Sequence, residues 1–263
     1  GSDYVCGQKK LPFSYQKNVK KDLYASLDGH ADRVIFYFQD NDKMCLLDGD
    51  RIMSLIVYYL ESIIPIREFN IGVVHNAYSN GNLITYLKEK SITTECVATG
   101  VNHLHAAACK YDIGIYFETN GHGTILFNNH VSGLYPKLDN LKNMCNQLIG
   151  DAICDFFVVL TILNELEMSP QDWYKLYQEK PFLISKVETP FQTNVIFETN
   201  LNESKLLKPV KLQTHIEHLG KQYPLCFIFV RPSGTENCLG YYIECQNEDL
   251  ISEIEQKLLF HIQ

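Results

Sequence analysis

The run Val230–Glu236 reads Val-Arg-Pro-Ser-Gly-Thr-Glu and combines residue types that bind phosphate. Apolar residues that predict a strand precede Arg231, and Ser233, Gly234 and Thr235 follow it in one tight loop. Arginine offers a fork of donors, hydroxyls donate, and glycine lets backbone N–H groups approach an anion. The loop therefore suits a dianionic phosphate, although an ordinary Pro-Ser-Gly turn explains the same residues equally well.

A second polar loop, residues 118–123, follows a predicted strand and reads Glu-Thr-Asn-Gly-His-Gly. Glu118 and Asn120 can bind neighbouring sugar hydroxyls, and the glycines permit a close backbone approach. A glycine hairpin with incidental polar residues is the stronger interpretation when this loop is taken alone.

A third group, residues 26–33, places Asp28, His30 and Asp32 at every second position around a glycine. Oxygen ligands at this spacing suit a hard cation such as Mg²⁺. A polar turn before a strand is the competing interpretation. Residues 48–50 read Asp-Gly-Asp, but there Asp50 is explained as the N-cap of the helix that follows.

A fourth group, Thr99-Gly100-Val101-Asn102-His103-Leu104-His105, lies where a predicted strand leads into a helix. Anions and substrates often bind at such links, so Thr99 and Gly100 are candidate ligand contacts. His103 and His105 diverge on a helix because they are two residues apart, which argues against a shared metal.

The elements that position these groups change in character near residue 180. Before it, strand-like and helical runs alternate with short links, which predicts an α/β domain with a mostly parallel, mixed sheet and flanking helices. After it, strands and helices alternate less regularly, which predicts a C-terminal α+β domain.

Bulk properties exclude several classes of protein. The 263 residues carry a net charge of −8, which argues against a general nucleic-acid binder. No apolar run approaches the ~20 residues of a membrane helix, and no signal peptide is evident at the start. Nine scattered cysteines without a C-x-x-C pair predict free thiols. We therefore expect a cytoplasmic protein without a membrane partner.

Taken together, the motifs resemble the α-D-phosphohexomutases in order and spacing. The Asn-Gly-His-Gly form, the His103-Leu104-His105 stretch and Gly150-Asp151-Ala152 resemble the phosphoacetylglucosamine mutase branch. The resemblance covers nearly the whole chain and rests on five motifs, namely Asp28–Arg33, Leu47–Asp50, Thr99–Val101, Glu118–Gly123 and Arg231–Glu236.

The resemblance implies a four-domain isomerase that interconverts N-acetylglucosamine 6-phosphate and 1-phosphate on the route to UDP-N-acetylglucosamine. It implies that a phosphoserine in domain 1 transfers phosphate, a Mg²⁺ loop activates it, domain 3 binds sugar hydroxyls and domain 4 binds the substrate phosphate. On this basis residues 1–66 are the tail of a domain 2-like unit, 67–180 are domain 3-like and 181–263 are domain 4-like.

Three positions depart from the family pattern. His30 stands where the metal loop usually has an aspartate, and imidazole suits softer ions such as Zn²⁺ or Mn²⁺ better than Mg²⁺. Asn102 stands where this branch typically has a lysine, which leaves His103 as a weak catalytic candidate. Gly240 stands where a basic residue is expected after the phosphate loop.

Two functions therefore stay open. The favoured one is a catalytically impaired or inactive mutase-like protein, a pseudoenzyme that acts as a phosphosugar-binding or structural module. The alternative is the C-terminal part of an active phosphoacetylglucosamine mutase. Because the strand at residues 34–38 is expected to lack sheet neighbours, we also expect a protein partner or a second copy to cover residues 1–66.

Overall fold

A computed structural model describes residues 1–12, 23–41, 43–189, 196–234 and 236–262. The described chain forms two compact units. The first unit comprises residues 1–79, 83–96 and 100–178, and the second comprises residues 80–82, 97–99 and 179–263. None of the helices among the described residues is long and apolar enough to cross a membrane.

The first unit begins with a small antiparallel sheet in the order β1-β2-β3. Its strands are β1 (Tyr24–Leu27), β2 (Val34–Asp40) and β3 (Lys43–Leu47), and helix α1 (Ser2–Gln8) packs Val5 against one face of β2. The expectation that residues 34–38 lack sheet neighbours is therefore wrong, because β2 is the central strand of this sheet. Strands β1 and β3 are the outer strands of this sheet among the described residues.

A mixed sheet of four strands forms the rest of the first unit's β-structure, in the order β5-β4-β6-β7. Strand β4 pairs in parallel with β5 and β6, whereas β6 pairs antiparallel with β7. The strands are β4 (Ile71–His75), β5 (Thr93–Cys96), β6 (Ile113–Phe117) and β7 (Gly123–Phe127). Every residue of β4, β6 and β7 is buried. The predicted mixed sheet with flanking helices is confirmed.

Helices cover this sheet and share one apolar core with it. They are α2 (Gly49–Ile63), α3 (Gly81–Glu89, which belongs to the first unit from Leu83 onward), α4 (Val101–Ala108), α5 (Pro136–Met144), α6 (Ala152–Glu165) and α7 (Pro170–Tyr174). Helix α2 is capped by Asp48, whose side chain accepts a hydrogen bond from the N–H of Arg51 at 3.2 Å. The predicted cap, Asp50, is instead buried inside the first turn.

A buried arginine joins the first helix of this core to its last residues. The Nη1 of Arg51 donates to the backbone carbonyls of Tyr174 and Tyr177 at 2.7 and 2.8 Å. Its guanidinium lies 4.6 Å from the Tyr174 ring centre and 3.9 Å from that of Tyr177. The indole N–H of Trp173 donates to the Arg51 carbonyl at 2.8 Å. Such partners offset the cost of burying a charge.

The second unit is an α+β arrangement, as predicted. Strands β8 (Phe182–Glu188), β11 (Phe227–Pro232) and β12 (Cys238–Glu244) form an antiparallel sheet in the order β11-β12-β8, beside a short pair of strands, β9 (Glu198–Thr199) and β10 (Leu206–Lys208). Helices α8 (Val210–Gln222) and α9 (Asp249–Ile262) share a second apolar core with one face of this sheet. The predicted division at residue 66 stays a prediction, because residues on both sides of it belong to the first unit.

Candidate functional site

The three predicted metal ligands meet in the turn between β1 and β2. The ligand atoms of Asp28, His30 and Asp32 all lie within 4.8 Å of one another. His30 is the exposed member, with its Nδ1 3.5 Å from an oxygen of Asp28. Burial alone would raise the pKa of Asp28, but hydrogen bonds from Asp32 and from the backbone N–H groups of Arg33 and His30 lower it to about 2. Asp28 is therefore a carboxylate at neutral pH.

This donor set fits a divalent cation. The Oδ1 of Asp32 is buried and accepts no hydrogen bond among the described residues, and its nearest cation is the Nε of Arg33 at 4.0 Å. This oxygen therefore retains acceptor capacity for a metal ion. Two carboxylates and an imidazole are within the ligand preferences of Mn²⁺ and Zn²⁺, and less suited to Mg²⁺.

The loop Glu118–Gly123 lies against this turn. The N–H of Val34 donates to the carbonyl of Gly121 at 3.2 Å, and Arg33 and His122 form an isolated antiparallel bridge. Gly121 has a φ of 86°, and a Cβ there would overlap the carbonyl oxygen of Val34. Only glycine accommodates both this backbone conformation and this contact.

The side chains of this loop connect it to a further motif. One carboxylate oxygen of Glu118 accepts the N–H of Gly100 at 3.2 Å, and the other lies 3.3 Å from the amide nitrogen of Asn120. The N–H of Gly49 donates to the carbonyl of Thr119 at 3.4 Å. Within the first unit, three segments that are distant in sequence, at Arg33, Gly49 and Gly100, therefore contact the 118–123 loop.

A cavity of about 360 Å³ in the first unit adjoins the metal ligands and is lined by Asp32, Asn102, His105, Tyr116 and His122 among other residues. The Nδ1 of His122 lies 3.9 Å from a carboxylate oxygen of Asp32. The Nδ1 of His105 lies 2.9 Å from the hydroxyl of the buried Tyr116. The predicted candidate His103 is exposed and does not line this cavity.

His105 and His122 were missed at the sequence level. The spacing of His103 and His105 argues only against a shared metal, and in the structure His105 contacts Tyr116 instead. His122 belongs to the predicted sugar-binding loop. Its proximity to Asp32 follows from the bridge between Arg33 and His122, which joins segments that are distant in sequence.

In the second unit, the predicted phosphate loop is the hairpin that joins β11 to β12. The N–H of Ser233 donates to the carbonyl of Cys238 at 2.9 Å, and the hydroxyl of Ser233 accepts the N–H of Glu236 at 3.2 Å. Gly234 is exposed at the tip. Thr235 lies outside the described residues.

Arg231 of this loop contacts a carboxylate. Its Nη1 lies 2.7 Å from the Oε2 of Glu203, and both side chains are mostly buried, at 17% and 22% exposure. The same Oε2 accepts the N–H of Thr99 at 3.0 Å. The hydroxyl of Thr99 is buried and has no hydrogen-bond partner among the described residues. The structure therefore groups Thr99 with Arg231 and Gly100 with Glu118, and sequence reasoning had no signal for Glu203.

Gly240 is the direct cross-strand partner of Arg231. The basic residue expected from the family pattern would therefore extend from the same face of the sheet as Arg231, on the neighbouring strand. Because glycine has no side chain, β12 contributes no cation beside Arg231.

Comparisons with known proteins agree on one family. The family model described as phosphoacetylglucosamine mutase AMG1, domain III, matches residues 48–168. The chain is 39% identical to the phosphoacetylglucosamine mutase of Candida albicans, over 97% of the chain and 50% of that protein. It is 37% identical to the human phosphoacetylglucosamine mutase, over 95% of the chain and 49% of that protein. The chain thus spans about half the length of the curated relatives it matches.

Solved structures give the same result. An N-acetylglucosamine-phosphate mutase of the α-D-phosphohexomutase superfamily, in its substrate complex, matches with a TM-score of 0.91 and 38% identity, over 100% of this chain and 52% of that one. The Aspergillus fumigatus N-acetylphosphoglucosamine mutase, in complex with GlcNAc-6P and magnesium, matches with a TM-score of 0.91 and 34% identity, over 100% of this chain and 56% of that one.

Proposed function

Because the chain belongs to the phosphoacetylglucosamine mutase family and matches a C-terminal portion of its members, we propose that it binds an N-acetylglucosamine phosphate. In the first unit, Glu118 and Asn120 would bind sugar hydroxyls beside the backbone of Gly100. In the second unit, Arg231, Ser233, Gly234 and Thr235 would bind the phosphate with Thr99.

The observation that carries this proposal is the position of Glu118. Its carboxylate accepts the N–H of Gly100, and its carbonyl accepts the N–H of Gly121 at 2.9 Å. The first bond restrains the side chain and the second restrains the backbone before a ligand arrives, so little conformational entropy is lost when a sugar binds. A carboxylate has about four acceptor positions, so the two oxygens of Glu118 retain capacity for hydroxyl donors.

We further propose that Asp28, His30 and Asp32 hold a divalent cation, because their ligand atoms are close together and the Oδ1 of Asp32 has no hydrogen-bond partner among the described residues. When bound, such a cation supplies positive charge to a phosphoryl oxygen. His122 would keep Asp32 oriented, since its ring lies 3.9 Å from that carboxylate.

We propose that catalytic turnover by this chain is weak or absent. His30 replaces a carboxylate ligand, Asn102 lines the cavity with a neutral amide that cannot transfer a proton, and Gly240 removes a cation beside Arg231. The alternative is that the chain contributes to an active mutase that interconverts N-acetylglucosamine 6-phosphate and 1-phosphate. The close approach of the three metal-ligand side chains favours that alternative.

Calorimetry with N-acetylglucosamine 6-phosphate tests binding. We expect a dissociation constant in the micromolar to millimolar range, weakened about tenfold or more by Arg231→Ala and by Glu118→Gln. Lys205→Ala, which removes an exposed cation of the second unit, serves as the control. Absence of binding at millimolar ligand would refute the proposal.

A coupled assay for the 1-phosphate separates the two versions of the function. We expect no turnover above background from the chain, with Mg²⁺ or Mn²⁺ present. Turnover above background, lost in Glu118→Gln, would favour the active alternative.

We also propose that a protein partner, or a second copy of the chain, pairs with an outer strand of residues 1–66. Strands β1 and β3 are the outer strands among the described residues, and outer strands present unpaired backbone groups. Light scattering tests self-association, and a monodisperse monomer would count against it.

A further inference from the structure

A row of three residues crosses the β11-β12-β8 sheet beside the phosphate loop. Arg231 on β11 pairs directly with Gly240 on β12, and Gly240 pairs directly with Lys186 on β8. Directly paired residues on neighbouring strands project from the same face of a sheet. Arg231 and Lys186 therefore share a face, and strand spacing places their backbones about 10 Å apart.

Gly240 leaves the space between these two cations without a side chain. The residues that flank Arg231, Gly240 and Lys186 on their own strands do not fill this space, because successive residues of a strand project from opposite faces of the sheet. On that opposite face, Val230, Leu239 and Tyr241 pack in the apolar core with helices α8 and α9. Arg231 and Lys186 therefore lie on the face turned away from this core. Phe229 and Tyr242 of the same face are buried, whereas the side chain of Lys186 is 61% exposed and can reach a ligand.

Lys186 already contacts the phosphate loop. Its Nζ lies 2.6 Å from the Oε2 of Glu236, the last residue of the Arg231–Glu236 motif. The N–H of Glu236 in turn donates to the hydroxyl of Ser233. A side chain from β8 therefore brings an ammonium group to the hairpin that carries the candidate phosphate-binding residues.

The contact between Lys186 and Glu236 can be exchanged. The two side chains are 61% and 57% exposed, so water screens their attraction and the pair contributes little to stability. A dianionic phosphate carries more charge than a carboxylate and three acceptor oxygens, and can replace Glu236 as the partner of the ammonium.

We propose that Lys186 is the second cation of the phosphate loop and supplies from β8 the positive charge that Gly240 does not supply from β12. On ligand binding, its ammonium group exchanges the carboxylate of Glu236 for a phosphate oxygen. This inference rests on the proposed function of the second unit as the phosphate-binding unit.

The test is calorimetry of the full chain with N-acetylglucosamine 6-phosphate and, separately, with inorganic phosphate. Lys186→Met should weaken binding of both by about tenfold, and should reduce the dependence of affinity on salt. Lys186→Arg should retain most of the affinity. Gly240→Arg in the Lys186→Met background should restore binding, because it returns a cation to the same row.

Lys208 gives a matched control. It pairs with Glu198 at 2.8 Å, with exposures of 63% and 55%, and it lies on another strand of the second unit. Lys208→Met removes the same charge from an equally exposed pair and should leave affinity unchanged within about twofold.

Three outcomes overturn the inference. Unchanged affinity in Lys186→Met, while Arg231→Ala abolishes binding, would reject the role of Lys186 and leave the proposed function intact. An equal loss of affinity in Lys208→Met would show that the effect arises only from the net charge of the protein. Binding that survives Arg231→Ala would reject the proposed function of the loop itself.

Discussion

The candidate site of the first unit and the proposed phosphate loop of the second are held in place by different interactions. Around Glu118, backbone N–H and carbonyl groups from segments distant in sequence fix the loops, and the glycines allow them to approach. Around Arg231, by contrast, side-chain ion pairs with Glu203 and between Lys186 and Glu236 occupy the cations. We therefore expect a side-chain substitution in the first site to change which ligand it prefers, and a ligand of the second site to compete with the carboxylates that its cations already contact.

The largest effect that we expect is on the stability of the first unit, and it tests whether the close backbone contacts hold its loops. Gly121→Ala should destabilise the first unit by about 3 kcal/mol or more, because it combines a left-handed backbone with overlap of the Val34 carbonyl. Urea unfolding measures it. Gly133→Ala is the matched control, since its φ is 79° but a Cβ there meets nothing within 4 Å, and we expect a cost of only about 1 kcal/mol. Equal costs would show that the backbone contact is unimportant.

The next effect concerns a buried carboxyl of helix α6, that of Asp155. Burial, with a smaller contribution from the charge of Asp151, raises the pKa of Asp155 well above its usual range. Above about pH 4 the unfolded state releases this proton while the folded state keeps it, so stability falls as the pH rises from there. Asp155→Asn should therefore raise the urea midpoint at pH 7, and the gain should disappear near pH 4.

Asp172 serves as the control for Asp155, because its pKa is shifted in the opposite direction. A hydrogen bond with Ser169 lowers the pKa of its carboxyl, so its stabilising contribution is present above the usual pKa and is lost as the pH falls. Asp172→Asn should lower the urea midpoint at pH 7. A gain of the same sign in both variants would contradict the assignment for Asp155.

A change of about tenfold in metal affinity is expected at the proposed metal ligands. His30→Asp should tighten Mg²⁺ binding about tenfold and weaken Zn²⁺ binding relative to it, because a third carboxylate replaces the imidazole. Titration calorimetry with each metal alone measures both. His103→Asp makes the same substitution at an exposed position of the first unit and should change neither. Tight Mg²⁺ binding by the unaltered chain would show that His30 does not limit it.

The smallest effect is expected at Arg231. Glu203→Gln should tighten binding of N-acetylglucosamine 6-phosphate about threefold to tenfold, because a neutral amide competes less well for the guanidinium. Glu198→Gln, on the neighbouring strand β9, is the control for net charge. Weaker binding in Glu203→Gln would mean that Glu203 orients Arg231 rather than competing with the ligand.

Candidate residues could be named from the sequence, whereas their arrangement in space could not. The predicted loops at Asp28, Glu118 and Arg231 contain distinctive combinations of residue types, and the alternation of strands and helices predicted the mixed sheet. The segment Tyr24–Leu27 is too short to show a strand pattern in the sequence, and in the structure it pairs with one side of β2 while β3 pairs with the other. The expectation that β2 lacks neighbours rested on its place at the end of a domain 2-like unit, and the pairing on both sides shows that it was wrong.

Contacts between distant residues could not be predicted from local patterns. Glu203 lies in a polar turn with no motif, and its carboxylate meets Arg231 only through the folding of the second unit. The row from Arg231 to Lys186 depends on the register of three strands, which short apolar runs do not determine. Asp48 and Asp50 both suit an N-cap, and the contact of Gly49 with the 118–123 loop favours the earlier start of the helix.

The contacts of Arg51 have a consequence for how the chain is made. Its guanidinium is enclosed by carbonyls and rings of residues 174 and 177, which leave the ribosome long after Arg51 itself. Until they emerge, α2 cannot bury this charge at low cost, so the nascent first unit stays incompletely closed. Translation up to Tyr177 therefore sets the earliest moment at which this unit can complete its fold.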